Sequence, residues 1–289
     1  MNRLGLLAGK GRFPFLVAQE AKRHGRRVVA VAIREEADLA LESAVDEIHW
    51  VHLGQLSKTL KIFKGRDVKE VVMAGLVQHA HMFSNLTRFR PDLRTLRLFM
   101  TLKDRKADTI LGTVASEFAR EGLTLLPSVS FLTHCLAHEG PITRRRPSRR
   151  ELEDIRFGIG IAKAIAGLDV GQTVCIKDKA VLAVEGMEGT DACIQRAGSI
   201  AQGPFVVVKV AKPRQDARFD MPVVGVQTVE TLNDAGAGFI AIEARKALML
   251  DKPVVIELAD THKIGIYGFN GSEAEPDLSR RSSERSVGG

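Results

Sequence analysis

Short apolar segments alternate with amphipathic helical segments along the first half of the chain, and this alternation limits the folds open to it. Leu4–Ala8 has the pattern of a strand, followed by the glycine turn Gly9–Gly11 and by a helical pattern over 13–24. Strands that alternate with helices indicate βαβ units and a parallel sheet. The remaining elements predicted in this half are strands at 27–33, 47–51, 68–75 and 123–126 and helical patterns at 56–64 and 92–121.

The second half continues the α/β pattern. Residues 139–150, with two prolines, one glycine and five arginines, have the composition of a linker. The architecture we expect is α/β: a Rossmann-like N-terminal domain with a parallel sheet at 1–138, and a distinct C-terminal α/β domain at 151–270. Residues 271–289 lack periodicity and are expected to form a disordered tail. The C-terminal elements predicted are helices near 151–168, 189–198, 226–233 and 243–250 and strands at 173–176, 180–184, 205–210 and 238–242.

Charge and composition restrict the class of protein. Residues 1–138 carry 21 Lys and Arg against 14 Asp and Glu, a balance of +7, which is typical of proteins that meet nucleic acid or an anionic membrane surface. The chain has one Tyr and one Trp and no interleaving of aromatic with basic residues suited to stacking bases, so nucleic acid is not the expected partner. No apolar run reaches the length of about 18 residues that a transmembrane helix needs. Three cysteines without metal-like spacing fit a reducing cytoplasm.

The first glycine turn lies where a nucleotide-binding turn would lie. Gly9 and Gly11 let the backbone come close to a phosphate, and the following helix offers N–H donors at its N-terminus. Pro14 stands where the dinucleotide fingerprint has its third glycine, which disfavours a dehydrogenase. A tight turn with no ligand is an equally good interpretation of this segment.

A proline-framed loop carries the densest set of ionisable side chains. It follows the apolar run Phe205–Val208, and Pro213 and Pro222 bar a regular helix across it. Polar loops at strand ends are where α/β sheets bind ligands; cations there can clamp phosphate oxygens, and carboxylates can hold a metal or orient water. The alternative is a solvated surface loop with incidental ion pairs. We predict instead a site for an anionic, phosphorylated substrate. The ionisable residues are Lys209, Lys212, Arg214, Asp216, Arg218 and Asp220.

A second polar turn, Glu185–Asp191, closes the predicted strand at 180–184. Thr190 or Asp191 fits a cap of the following helix, which leaves Glu185 and Glu188 unexplained. The backbone N–H groups of this turn could bind a phosphate, or its carboxylates could reach a metal.

Four segments together resemble the UDP-2,3-diacylglucosamine pyrophosphatase family of lipid A biosynthesis, in its two-domain, magnesium-dependent type: Leu6–Pro14, Leu168–Gln172, Val181–Asp191 and Lys212–Gly225. The resemblance implies hydrolysis of UDP-2,3-diacylglucosamine to UMP and 2,3-diacylglucosamine 1-phosphate, with water attacking the α-phosphorus. It also implies a Rossmann-like domain, a distinct C-terminal α/β domain and a substrate held between them. After Gly75, the residues Leu76–His79 depart from relatives that carry a polar residue and then a basic residue with proline.

The residues and the resemblance together give the predicted site. The family's Asp-hydrophobic-Pro-x-x-Gly motif falls on Asp220 and makes it the essential aspartate, with Asp216 as a second catalytic candidate. Mg²⁺ is the expected cofactor, with Mn²⁺ as the alternative, and its candidate ligands are Asp220, Glu185, Glu188 and Asp191. The candidate substrate-binding residues are Gly9, Gly11, Gly75, Lys212, Arg214, Gln215, Arg218, Gly189 and Thr190.

The expected partners follow from a lipid-linked sugar nucleotide as substrate. A cytoplasmic protein acting on such a lipid must touch the inner-membrane surface transiently, and Met82–Lys106, with its interspersed apolar and basic residues, is the candidate contact. An ordinary core helix would show the same spacing. A homodimer is left open, as are two rival classes: another sugar-nucleotide or dinucleotide enzyme, and a non-catalytic anion- or membrane-binding protein.

Overall fold

The computed structural model describes residues 2–77, 89–104, 107–213, 216, 218 and 221–271, with only the backbone for residues 107 and 108. The chain divides into two compact units. The first comprises Met1–His134 with Asp216–Met221, and the second comprises Cys135–Gln215 with Pro222–Gly289. Each unit is built around a sheet of its own.

The first unit contains a five-stranded sheet in which all strands are parallel, in the order β3-β2-β1-β4-β5. This order is that of the doubly wound α/β fold. Apolar residues at spacings of three and four explain the helices. Helix α2 (Leu56–Gly65), for example, buries Leu56, Leu60 and Phe63 on one face. The elements are β1 Arg3–Ala8, α1 Phe13–Arg23, β2 Arg27–Ile33, β3 Glu47–Val51, α2 Leu56–Gly65, β4 Glu70–Ala74, α3 Leu93–Thr101, α4 Ala107–Arg120 and β5 Thr124–Leu125.

The second unit contains a six-stranded mixed sheet in the order β6-β13-β11-β9-β7-β8 and a separate parallel pair, β10 with β12. Strands β9, β11 and β13 run parallel, whereas β6, β7 and β8 pair antiparallel. The elements are β6 Gly140–Pro141, α5 Arg149–Gly167, β7 Thr173–Lys177, β8 Ala180–Val184, α6 Thr190–Ile200, β9 Val206–Lys209, β10 Val223–Val224, α7 Val226–Asp234, β11 Phe239–Glu243, β12 Leu248–Met249, α8 Lys252–Thr261 and β13 Gly265–Phe269.

The central strands of the second sheet are buried on both faces, because helices cover each side. One apolar core contains Cys175, Val207 and Ile240, and the other contains Val174, Val208 and Phe239. Helix α5 begins with a capping box formed by Ser148 and Glu151 and packs on β7 and β9. A parallel sheet and a distinct C-terminal α/β unit confirm the fold class expected from the sequence.

Two segments differ from the sequence-based expectation. Residues 139–150 contribute β6, which pairs with β13, and the first residues of α5, so this stretch belongs to the second unit. The helix predicted near 243–250 is wrong: Glu243 ends β11 and β12 follows at Leu248–Met249. The apolar run there lines a core, and the helix begins only at Lys252, where Pro253 suits the first turn. The expected tail at 272–289 lies outside the described residues.

Candidate functional site

The glycine turn after β1 packs directly on the turn after β4. The backbones of Lys10 and Leu76 exchange two hydrogen bonds, of 2.8 and 2.9 Å, and Gly9 N–H donates to Ala74 O at 2.9 Å. A Cβ on Gly9 would lie 2.6 Å from Leu76 O, and Gly75 has a φ of +95°. Close approach of the two backbones therefore accounts for Gly9 and Gly75, whereas Gly11 is exposed and faces open space.

Gly75 should be intolerant of any side chain. A Cβ there would lie 2.7 Å from Gly9 C and 2.8 Å from Lys10 O, and both neighbours are backbone atoms that cannot rotate away. Gly11 has a nearly equal φ of +98° but no atom within 4 Å of its Cβ position, so Gly11→Ala is the matched control. We expect Gly75→Ala to lower the free energy of unfolding, measured with urea, by about 1–3 kcal/mol more than Gly11→Ala does. Equal losses in the two variants would show that the backbone contact is not tight.

The polar turn after β8 is organised by Glu185 and Thr190. Glu185 Oε2 accepts a 3.1 Å hydrogen bond from Gln172 N–H, and its Oε1 accepts a 3.0 Å bond from the Thr190 hydroxyl. Thr190 is the first residue of α6, whose N-cap is Gly189 with a φ of +86°. The turn thus places a carboxylate, a hydroxyl and a helix N-terminus together at the edge of the second sheet.

Lys209 joins this turn to the end of the proline-framed loop. It is the last residue of β9 and is buried, and its Nζ donates to Thr190 Oγ1 at 3.1 Å and to Val223 O at 2.9 Å. A buried ammonium is stable only with such partners. Its charge lies beside the N-terminus of α6, and both features attract anions.

The other carboxylates of the turn have separate partners. Glu188 forms an ion pair with Arg196 at 2.6 Å and accepts from Gly186 N–H at 3.0 Å. Hydrogen bonds from its own backbone N–H and from Arg196 lower the pKa of the Glu188 carboxyl below its ordinary value. Asp191 lies in the first turn of α6, where a negative charge stabilises the helix dipole.

These contacts bear on the predicted metal ligands. Among the side chains that the structure describes, no three His, Cys, Asp or Glu residues lie close enough together to hold a metal ion. The Glu185 carboxylate binds the Thr190 hydroxyl, and the Glu188 carboxylate binds Arg196. Glu185, Glu188 and Asp191 therefore do not form a metal centre by themselves. The fourth predicted ligand, Asp220, lies outside the described residues.

The proline-framed loop is described in part. Arg214, Gln215 and Asp220 lie outside the described residues. Lys212 Nζ forms a 2.7 Å ion pair with Asp169.

Asp216 and Arg218 form an ion pair with each other within this loop. Arg218 Nε and Nη2 donate to the Asp216 carboxylate at distances from 2.5 to 3.1 Å. Hydrogen bonding to the Arg218 side chain lowers the pKa of Asp216, so this carboxylate stays ionised. The same hydrogen bonds orient the carboxylate toward Arg218.

Side chains hold both ends of the loop. Lys163 and Glu243, which were not among the predicted site residues, hold its start, and Lys209, predicted only as one of the loop's ionisable residues, holds its end. At its start, Ala211 N–H donates to Glu243 Oε2 at 3.0 Å, and Ala211 O accepts from Lys163 Nζ at 2.9 Å. At its end, Lys209 binds Val223 O, and Leu248 N–H donates to Pro222 O at 2.9 Å. The signal in the sequence was a charged residue at the end of each of two apolar strands, Lys209 and Glu243.

Two family profiles cover almost the whole folded chain. Residues 3–135 match the family described as the LpxI N-terminal domain, and residues 138–267 match the LpxI C-terminal domain. The chain belongs to the LpxI family. The two matched regions correspond closely to the two compact units.

A curated relative and one solved structure are also similar to the chain. The UDP-2,3-diacylglucosamine pyrophosphatase LpxI of Caulobacter vibrioides is 29% identical over 284 residues, which cover 94% of this chain and 99% of that LpxI. The structure of glycinamide-RNase-transformylase T from Mycobacterium tuberculosis is 14% identical, with a TM-score of 0.25, and the match covers 64% of this chain and 44% of that one. A similarity that weak supports no inference about function.

Proposed function

We propose that this member of the LpxI family hydrolyses UDP-2,3-diacylglucosamine to UMP and 2,3-diacylglucosamine 1-phosphate. The observation that carries the proposal is the near full-length match to a LpxI with this named activity. The loop that contains the family's aspartate motif supports it, because the described ends of that loop are held at the polar edge of the second sheet by Lys209 and Glu243. Hydrolysis needs the diphosphate charge neutralised and a water placed in line with the leaving group.

The contacts assign different roles to the two candidate catalytic carboxylates. Asp216 is bound to Arg218 through two nitrogen atoms, and its lowered pKa makes it a weak base. We therefore assign Asp216 to orienting Arg218 toward a phosphate. Asp220, which the family motif marks as essential, is the residue we propose to activate the water or to hold a metal.

Several described groups can receive the diphosphate. Lys209 and the N-terminus of α6 offer a cation and backbone N–H donors within one turn. Lys212 adds a second cation, oriented by Asp169. We propose that the phosphates bind at this edge of the second sheet, together with Arg214 and Gln215 of the loop.

Magnesium dependence is part of the proposal. Mg²⁺ bound here would neutralise phosphate charge and polarise the phosphorus that is attacked. The described carboxylates do not fit a magnesium centre without a further ligand, so Asp220 is the residue we propose to complete it.

Hydrolysis in ¹⁸O-labelled water tests both the activity and the position of attack. Mass spectrometry should detect UMP and 2,3-diacylglucosamine 1-phosphate as the two products. If water attacks the α-phosphorus, as the family resemblance implies, the label enters UMP. Label in the sugar phosphate would place the attack on the β-phosphorus, and the absence of both products would contradict the proposed function.

The structure of the first sheet bears on one alternative function, that of a dinucleotide-dependent enzyme. In doubly wound folds the dinucleotide crosses the crevice where the strand order reverses, which here lies between β1 and β4. The turns that follow these strands are hydrogen-bonded to each other through Lys10 and Leu76. This contact and Pro14 favour the hydrolase, and a purified protein without NAD or FAD absorbance would agree with it.

We further propose that α3 contacts the membrane that holds the lipid substrate. Within the described residues, no helix is long and apolar enough to span a bilayer. Three apolar side chains of α3, spaced three and four residues apart, are exposed: Leu93 by 73%, Leu96 by 45% and Met100 by 86%. Arg97, also exposed, lies among them.

The other arginine of α3, Arg94, pairs with Glu117 and Glu121. Apolar residues with a cation between them suit the boundary of an anionic bilayer. Residues 82–88, 105 and 106 of the predicted contact lie outside the described residues.

Replacing Leu93, Leu96 and Met100 by Gln should abolish binding to anionic vesicles in a co-sedimentation assay at low salt, because the face loses its apolar area while Gln preserves the helix. The matched control replaces three exposed apolar residues elsewhere, Met187, Ile200 and Val254, by Gln. We expect the control to bind as the wild type does. Equal binding by both variants, or no binding by the wild type, would remove α3 as the contact.

A further inference from the structure

The carboxylate of Glu243 is buried at the end of β11 and holds the backbone at the start of the proline-framed loop. Its side chain is 1% exposed, and Oε2 accepts from Ala211 N–H at 3.0 Å and from the Lys163 ammonium. Lys163, on α5, also donates to Ala211 O at 2.9 Å. One ion pair therefore binds both backbone polar groups of a single residue, the one that precedes Lys212 and Pro213.

A second cation, Lys246, also lies beside Glu243. Lys246 Nζ lies 3.0 Å from Glu243 Oε1 and is 59% exposed. Burial raises the pKa of the Glu243 carboxyl, but hydrogen bonds from Lys163, Lys246 and Ala211 N–H outweigh it and keep the pKa below its ordinary value. Glu243 is therefore ionised at neutral pH, and Lys163 supplies the less exposed counter-charge.

A buried ion pair is a poor source of stability. Removing two charges from water costs about as much as their attraction returns, so apolar replacements of a whole pair are often neutral or stabilising. What an apolar pair cannot do is bind a specific N–H and C=O. The contacts of Lys163 and Glu243 thus fix where the loop starts.

We infer that Lys163 and Glu243 are positioning residues that fix the start of the proline-framed loop, so that Lys212, the next residue after Ala211, is held where it can bind the diphosphate. The inference rests on the proposed function for its catalytic consequence. Lys209 has the matching role at the other end of the loop, through Val223 O. A displacement of about 1 Å in a catalytic group can cost about 10²-fold in rate, so anchoring both ends has a large effect on turnover.

The test compares the wild type with the double variant Lys163→Met/Glu243→Leu. This variant removes both charges together, so that neither residue of the pair remains as a buried charge without its partner. Hydrogen–deuterium exchange of the peptide covering residues 206–213 reports the Ala211 anchor directly. Steady-state kinetics with UDP-2,3-diacylglucosamine report its catalytic consequence. The control is Arg26→Met/Glu70→Leu, which removes an ion pair of the first sheet, and Lys163→Arg keeps the charge and the donor.

We expect the double variant to remain folded at the assay temperature, although its melting temperature falls because the backbone N–H and C=O of Ala211 lose their partners. It should exchange faster at 206–213 and lose about 10–10²-fold in kcat, with little change in KM. The control pair and Lys163→Arg should keep the wild-type exchange and kcat. Unchanged exchange, or unchanged kcat with faster exchange, would overturn the inference, as would a loss of kcat that only follows a loss of stability.

Two further outcomes are decided by the same measurements. If the double variant does not fold, Glu243→Gln keeps the shape of the side chain, and faster exchange with lower kcat in that variant is again the expected result. If the wild type releases no UMP, the proposed function fails, whereas the exchange of 206–213 still decides whether the ion pair anchors Ala211.

Discussion

Asp220→Ala is expected to lower kcat by about 10²–10⁴-fold, the usual contribution of a positioned acid–base group or water-orienting carboxylate. Asp220 begins the family's Asp-hydrophobic-Pro-x-x-Gly motif, which here reads Asp-Met-Pro-Val-Val-Gly and ends at Gly225. The described part of that motif enters β10, which pairs with β12 in the second unit. Because a truncated carboxylate leaves these pairings intact, the variant should fold and melt as the wild type does.

Asp216→Ala is the matched control, since it removes a carboxylate from the same loop. The wild-type Asp216 is paired with Arg218, so its loss should loosen that cation and raise KM more than it lowers kcat. Steady-state kinetics of the two variants, with melting curves to verify folding, separate the roles. Near-normal turnover by a folded Asp220→Ala variant would remove Asp220 from the mechanism.

Removing divalent metal is expected to abolish activity, and added Mg²⁺ to restore it. The three cysteines are buried, and the predicted site is composed of carboxylate, hydroxyl and backbone oxygen atoms, which prefer Mg²⁺ or Mn²⁺ to Zn²⁺. The assay measures UMP release after exhaustive treatment with EDTA, followed by titration with each metal.

The metal prediction has a structural control at Glu188. Because the Glu188 carboxylate is occupied by Arg196, Glu188→Gln should leave the Mg²⁺ concentration for half-maximal activity unchanged within about threefold. Full activity in chelated buffer would contradict metal dependence. A large rise in the Mg²⁺ requirement of Glu188→Gln would instead show that Glu188 leaves Arg196 to bind the metal.

Much of the fold could be predicted because strands and helices differ in hydrophobic period. The strands at 27–33, 47–51 and 180–184 have the predicted bounds. The first and the last of them are short apolar runs bounded by charged or turn residues. The helix predicted near 243–250 failed because its alanine and leucine residues suit a helix locally but are buried around a short strand at Leu248–Met249. Tertiary burial outweighed local propensity there.

The sequence predicted which loops carry the candidate site, but it predicted fewer of the contacts between side chains. Glu185 and Thr190 were selected from the polar turn, and the structure joins them by a hydrogen bond. Lys163 was not selected, because a single lysine on an amphipathic helix gives no sign of its partner 80 positions away, Glu243. Long-range pairing of this kind depends on strand order, which the spacing of residues does not encode.

The most direct test of the central claim is the product balance of a single reaction. Purified protein with Mg²⁺ and UDP-2,3-diacylglucosamine should release UMP and 2,3-diacylglucosamine 1-phosphate in equal amounts, and the Asp220→Ala protein should release them at least about 10²-fold more slowly. UDP-N-acetylglucosamine, which lacks the two acyl chains, serves as the comparison substrate and should be hydrolysed poorly. A folded wild-type protein that releases no UMP from UDP-2,3-diacylglucosamine would contradict the account.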